Sequence, residues 1–145
     1  MSSGTRLGHY LLGDVIGSGG MGSVYVAHHE RLGQPVAIKV LASNLSRDPQ
    51  LIARFEQEAR LQANLRHPNI VAVTDFMVEA GLCAFVMELA EGRTLDVLIR
   101  QHGGPLPPER CVQLIVPVLD ALGFAHARGI VHRDKIGRAS CRERV

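Results

Sequence analysis

The chain has 145 residues, 46% of them hydrophobic and 21% charged, with a formal net charge of +2. That balance excludes disordered and fibrous classes, fits one domain with its own core, and gives no field strong enough to draw nucleic acid or an anionic membrane. The N-terminal MSSGTRLGHYLLG lacks the apolar run of a secretory signal, and no stretch approaches the roughly 20 apolar residues of a membrane span, so a cytoplasmic chain with reduced thiols at Cys83, Cys111 and Cys141 is expected.

Short apolar runs separated by turn residues predict strands over 10–17, 23–29, 35–41, 70–78 and 82–89, as in an antiparallel meander. His28 and His29 are expected in a solvated turn, with no ligand-type residue at metal spacing beside them. A helix is predicted between the third and fourth strands, with Asp48 as N-cap, Pro49 at its first position and Pro68 marking its end. Leu51, Phe55, Glu58, Gln62 and Leu65 share one face of it, so Glu58 is turned toward the core. A short helix follows over about 94–101, then a Gly/Pro-rich loop over 103–108, then a long helix to about Arg128 with Gly129 as its cap. Pro117 predicts a bend in that helix, not a break. Its apolar stripe of Cys111, Leu114, Ile115, Val118, Leu119, Leu122 and Ala125 is expected to lack covering helices, a condition that favours aggregation or a borrowed partner.

Gly17-Ser18-Gly19-Gly20-Met21-Gly22-Ser23-Val24 joins the first two strands. Glycines there let backbone amides close over phosphate oxygens, because no Cβ blocks the approach. The G-x-G-x-x-G spacing alone also fits a flexible hairpin or a dinucleotide site, but a dinucleotide fingerprint leads into a helix and this one leads into a strand. On the third strand, Ala37 and Lys39 share a face by the period of two. Ala37 leaves room for a flat ring, and Lys39 reaches phosphate as a flexible point charge. Lys39 and Glu58 are expected to pair, since two opposite charges about 4 Å apart attract by roughly 4 kcal/mol at an effective dielectric near 20.

The ordered set Gly17-x-Gly19-x-x-Gly22-x-Val24, Val36-Ala37-Ile38-Lys39, Glu58, His67-Pro68-Asn69-Ile70-Val71 and His132-Arg133-Asp134 resembles the Hanks-type protein kinases. Its wording, including Glu91-Gly92-Arg93-Thr94-Leu95, is most similar to the bacterial serine/threonine kinases of that family. The resemblance implies an α+β fold: a five-stranded antiparallel sheet plus one helix as the N-lobe, about 10–90, then the first helices of an α-helical C-lobe, about 91–134, preceded by a tail over 1–9. It implies that Ile16, Val24 and Ala37 sandwich adenine, that residues 17–24 and Lys39 hold phosphates, and that Met87 is the gatekeeper. It further implies that Glu88, Leu89 and Ala90 form a hinge, offering the Glu88 carbonyl and the Ala90 amide to the adenine edge, and that Asp134 receives or orients the substrate hydroxyl proton. The implied partners are ATP and a protein substrate, with no nucleic acid and no membrane segment; the implied metal is Mg2+ for the complete enzyme.

After Asp134 the sequence departs from the family. It contains no catalytic-loop asparagine and no Asp-Phe-Gly, the family's magnesium ligands, so this chain is expected to supply no metal ligand. Residues 136–145 read as the translation of a common sequencing adapter, and 135–145 is expected to be foreign to the family, with the fragment inactive on its own; it is expected to be cytoplasmic, or the cytoplasmic domain of a membrane-anchored kinase. The competing class is a non-catalytic ATP-binding or protein-interaction module. Intact Lys39, Glu58 and Asp134 weigh against it.

Overall fold

Successive side chains of a strand point to opposite faces, so a strand covered on both sides buries consecutive residues, as 36–38 and 83–86 do. The computed structural model describes residues 4–43, 45–79 and 81–131. They fall into two units: the chain up to Arg66 with Val71–Leu89, and His67–Ile70 with the chain from Ala90 onward.

The first unit is a six-stranded antiparallel sheet with one helix. Its strands are β1 (Arg6–Leu7), β2 (Tyr10–Gly19), β3 (Gly22–His29), β4 (Pro35–Leu41), β5 (Val73–Glu79) and β6 (Leu82–Glu88), in the order β1-β2-β3-β4-β6-β5. Helix α1 (Pro49–Ala63) lies between β4 and β5 in the chain. It begins as expected, with Asp48 accepting from the Gln50 amide and Pro49 in the first turn. β4 divides its side chains between two cores. Val36, Ile38 and Val40 join Leu7, Leu12, Tyr25, Ala27, Ala84 and Val86, while Leu41 joins Phe55 and Ala59 of α1 and Cys83 and Phe85 of β6.

Several boundaries differ from the sequence expectation. Arg6 and Leu7, expected in a tail, add a strand to the five predicted, because Leu7 reaches the first core and is 2% exposed. The Gly8 amide donates to the Glu79 carboxylate, tying the turn after β1 to the end of β5, so the two edges of the sheet meet. α1 stops at Ala63, ahead of Leu65 and Pro68: the Leu65 amide tightens to the Gln62 carbonyl three residues back, and the Asn64 side chain donates to the Arg60 carbonyl. β5 starts at Val73 and not at residue 70, since the Ile70 amide closes a turn on the His67 carbonyl. His28 and His29 end β3 instead of forming a solvated turn, and His29 Nδ1 accepts from the Arg31 and Leu32 amides.

The second unit contains α2 (Leu95–His102) and α3 (Pro108–His126). Thr94 caps α2 by accepting from the Val97 amide, and Gly103 ends it in the left-handed region at φ 73°. α3 runs through Pro117 unbroken and ends two residues before Arg128. Gly129 still supplies the turn: at φ 74° its amide donates to His126 O and the Ile130 amide to Ala125 O, the paired bonds of a Schellman motif. Of the apolar stripe, Cys111, Ile115 and Leu119 are exposed, Leu114, Val118 and Leu122 half-buried and Ala125 buried. His67 belongs to this unit, its ring against Phe124 and its Nε2 3.1 Å from Asp120.

Candidate functional site: a glycine hairpin beside the Lys39–Glu58 pair

The hairpin between β2 and β3 turns at Gly20-Met21, with Gly19 opposite Gly22, and the Met21 carbonyl accepts from the Ala42 amide just past β4. Gly17, Ser18, Gly19, Gly20, Met21, Gly22, Ser23 and Val24, the residues expected to cover phosphate, thus lie on one continuous ribbon. The register of β2 slips between Val15, opposite Tyr25, and Gly17, opposite Val24, leaving Ile16 with no opposite residue. Such a bulge re-aims a side chain. Ile16 is exposed.

Residues directly opposite in an antiparallel sheet share a face. Val26, Ala37, Met87 and Val73 make one cross-strand row, and Val24, Lys39, Phe85 and Phe76 the next. The face therefore carries small, flat apolar surface around Ala37 and, one step along, a single cation. Glu88 closes β6 opposite Val36, its amide donating to the Ala72 carbonyl. Ala90 is buried and opens the second unit.

The Lys39 ammonium donates to Glu58 Oε1 at 2.6 Å, so the expected strand-to-helix pair is formed. The glutamate side chain is 42% exposed and the lysine side chain 23%, so the pair stays partly hydrated, milder than the inward burial expected from the helix face. Gln62, one turn further along α1, donates to the Val71 carbonyl and anchors the helix beside β5. The sequence reading did not single out Phe55 or Phe85 around Lys39. Their ring centroids lie 5.8 and 5.4 Å from its Nζ. The signal for Phe85 was an aromatic two positions before Met87, which gains meaning only once its register against Lys39 is known. Asp134 lies outside the described residues.

Residues 10–135 match the family model described as protein kinase domain. The chain belongs to the protein kinase family. A probable serine/threonine-protein kinase of Streptomyces coelicolor is 46% identical over 131 residues, 88% of this chain and 19% of its own length. The serine/threonine-protein kinase PknB of Mycobacterium leprae is 43% identical over 129 residues, covering 86% of this chain and 21% of the relative. This kinase-family chain thus spans about a fifth of the length of the curated relatives it matches. Among solved structures, the PknI kinase domain of Mycobacterium tuberculosis superposes with a TM-score of 0.73 at 29% identity, covering 92% of this chain and 54% of that one. The apo form of PpkA-294 gives a TM-score of 0.78, also at 29% identity, with 92% and 54% covered. Its relatives place the chain with the bacterial serine/threonine kinases, as its motif wording implies.

Protein kinases in general use ATP with Mg2+. Among the described residues of this kinase-family chain there is no group of three or more His, Cys, Asp or Glu that could hold a metal ion. No described helix is long and apolar enough to cross a membrane.

Proposed function

We propose that the first unit is the nucleotide-holding part of an ATP-dependent protein serine/threonine kinase, within a kinase domain running from about residue 10 to 134. The observation that carries this reading is the 2.6 Å ion pair between Lys39 on β4 and Glu58 on α1, beside the glycine hairpin. Ile16, Val24, Ala37 and Met87 hold the adenine ring between apolar surfaces. The main-chain carbonyl of Glu88, at the end of β6, reads its edge. The amides of Gly17–Val24 cover the phosphates, and Lys39, kept extended by Glu58, contributes a fixed positive charge. In the complete reaction the γ-phosphoryl group passes from ATP to a serine or threonine hydroxyl, ADP leaves, and Asp134 receives the hydroxyl proton.

The 145-residue chain has no Asp-Phe-Gly, so we expect it to bind ATP weakly at best and to transfer phosphate poorly or not at all. The test is thermal stabilisation by millimolar ATP, with and without Mg2+, in the parent chain and in Lys39→Met. Stabilisation in the parent that weakens in the variant supports the reading. Equal behaviour of the two, or no stabilisation in either, overturns it.

A further inference from the structure

A lysine ammonium has three hydrogen-bond donors and sits on a flexible four-carbon stem. Glu58 takes one donor of Lys39, and its side chain is 42% exposed, so water competes for that contact. Something else must hold the ammonium still if its other donors are to remain directed at a ligand. Phe85 stands directly opposite Lys39 across β4 and β6, and Phe55 lies one turn before Glu58 on α1. Both rings are almost fully buried, and their centroids are 5.0 Å apart. Phe76, 6.3 Å from Phe55, backs them. The rings are braced by the second core and cannot swing away from the cation.

We propose that Phe55 and Phe85 form an aromatic seat that positions the Lys39 ammonium through their π faces, fixing it without consuming the donors that phosphate needs. Both ring distances fall within the roughly 6 Å over which a ring quadrupole attracts a cation. Two of the three supports, Glu58 and Phe55, ride on α1, whereas Phe85 belongs to the sheet. A shift of α1 therefore removes the carboxylate and one ring together, and Phe85 keeps Lys39 in register with the glycine hairpin. The phosphate part of this inference rests on the kinase reading. The seat itself does not.

Lys39 and Lys135 are the chain's two lysines, so selective lysine 13C labelling gives a spectrum that Lys39→Met assigns at once. The decisive variant carries 3,4,5-trifluorophenylalanine at position 85, which keeps the ring's shape and cancels the negative potential of its face. Phe85→Leu, which removes the ring, is the second. In the apo chain, 13C relaxation of the Lys39 ε-carbon should show lower order in both variants than in the parent, with Glu58 intact. ATP affinity should fall roughly three- to tenfold. Unchanged order on fluorination overturns the proposal, and so does lowered order with unchanged affinity in a parent that binds ATP. Lowered order in the variants of a parent that binds no ATP upholds the seat and rejects the nucleotide-holding proposal for this chain instead.

Discussion

A β-carbon placed on Gly22 would lie 2.0 Å from the carbonyl oxygen of Val40, closer than any real side chain comes to a backbone atom. Gly22 also holds φ 156°, a conformation L residues rarely adopt. Of the glycines in the hairpin, this one is required by the protein's own packing against the end of β4. Gly17 is different: a β-carbon there meets Val24 Cβ at an ordinary 3.9 Å. Gly22→Ala should therefore cost about 2–3 kcal/mol in urea unfolding. Gly17→Ala should stay within about 1 kcal/mol while weakening ATP binding by calorimetry. Equal destabilisation of the two would remove this division of labour.

Lys39 and Glu58 should separate stability from binding. A pair this exposed contributes no more than about 1 kcal/mol to folding. Glu58→Gln is expected to leave the unfolding midpoint nearly unchanged, and ATP affinity should fall about tenfold, since Lys39 loses its charged partner. A large loss of stability with affinity retained would show the pair to be structural.

Leu7 is nearly as buried as any residue of the first core although it lies before the first motif. Leu7→Ala should destabilise the first unit by about 2–4 kcal/mol in urea unfolding. Glu79→Ala removes the acceptor of the Gly8 amide, an exposed bond that water can replace in part, and should cost no more than about 1 kcal/mol. Parent-like unfolding of Leu7→Ala would mean that residues 4–8 are dispensable.

Burial, and after it the Glu56 carboxylate, pushes the Cys83 thiol up from its ordinary value; burial, and after it Asp75, does the same to the Tyr10 hydroxyl. Both groups are neutral when protonated. The unfolded chain therefore loses these protons first as pH rises, and stability present below the ordinary cysteine value, about 8.5, declines above it. Urea midpoints between pH 7 and 10.5 should fall, and Cys83→Ala should flatten the first part of that fall. At neutral pH iodoacetamide should label exposed Cys111 and spare Cys83.

Much of the site was legible because its signals are local. Asp48 and Pro49 start α1 through bonds to their immediate neighbours, and the period of two puts Ala37 and Lys39 on one face of β4 wherever that strand sits. Nineteen residues separate Lys39 from Glu58, yet the helix face holding Glu58 could be read from its own spacing, and the pair forms. Helix and strand ends were read less well. Asn64 and the turn at His67–Ile70 satisfy their hydrogen bonds in ways that composition does not announce.

The sequence by itself determined the family, the glycine hairpin and the lysine–glutamate pairing, because each depends on residue type at fixed spacing along the chain. Tertiary structure alone decided which residues face one another across strands. The bulge that frees Ile16, the alignment of Phe85 with Lys39, the closure of Gly8 on Glu79 and the clash that requires Gly22 are all matters of register. Register is set by simultaneous packing of both cores, and a slip of one residue would turn every side chain of a strand to its other face.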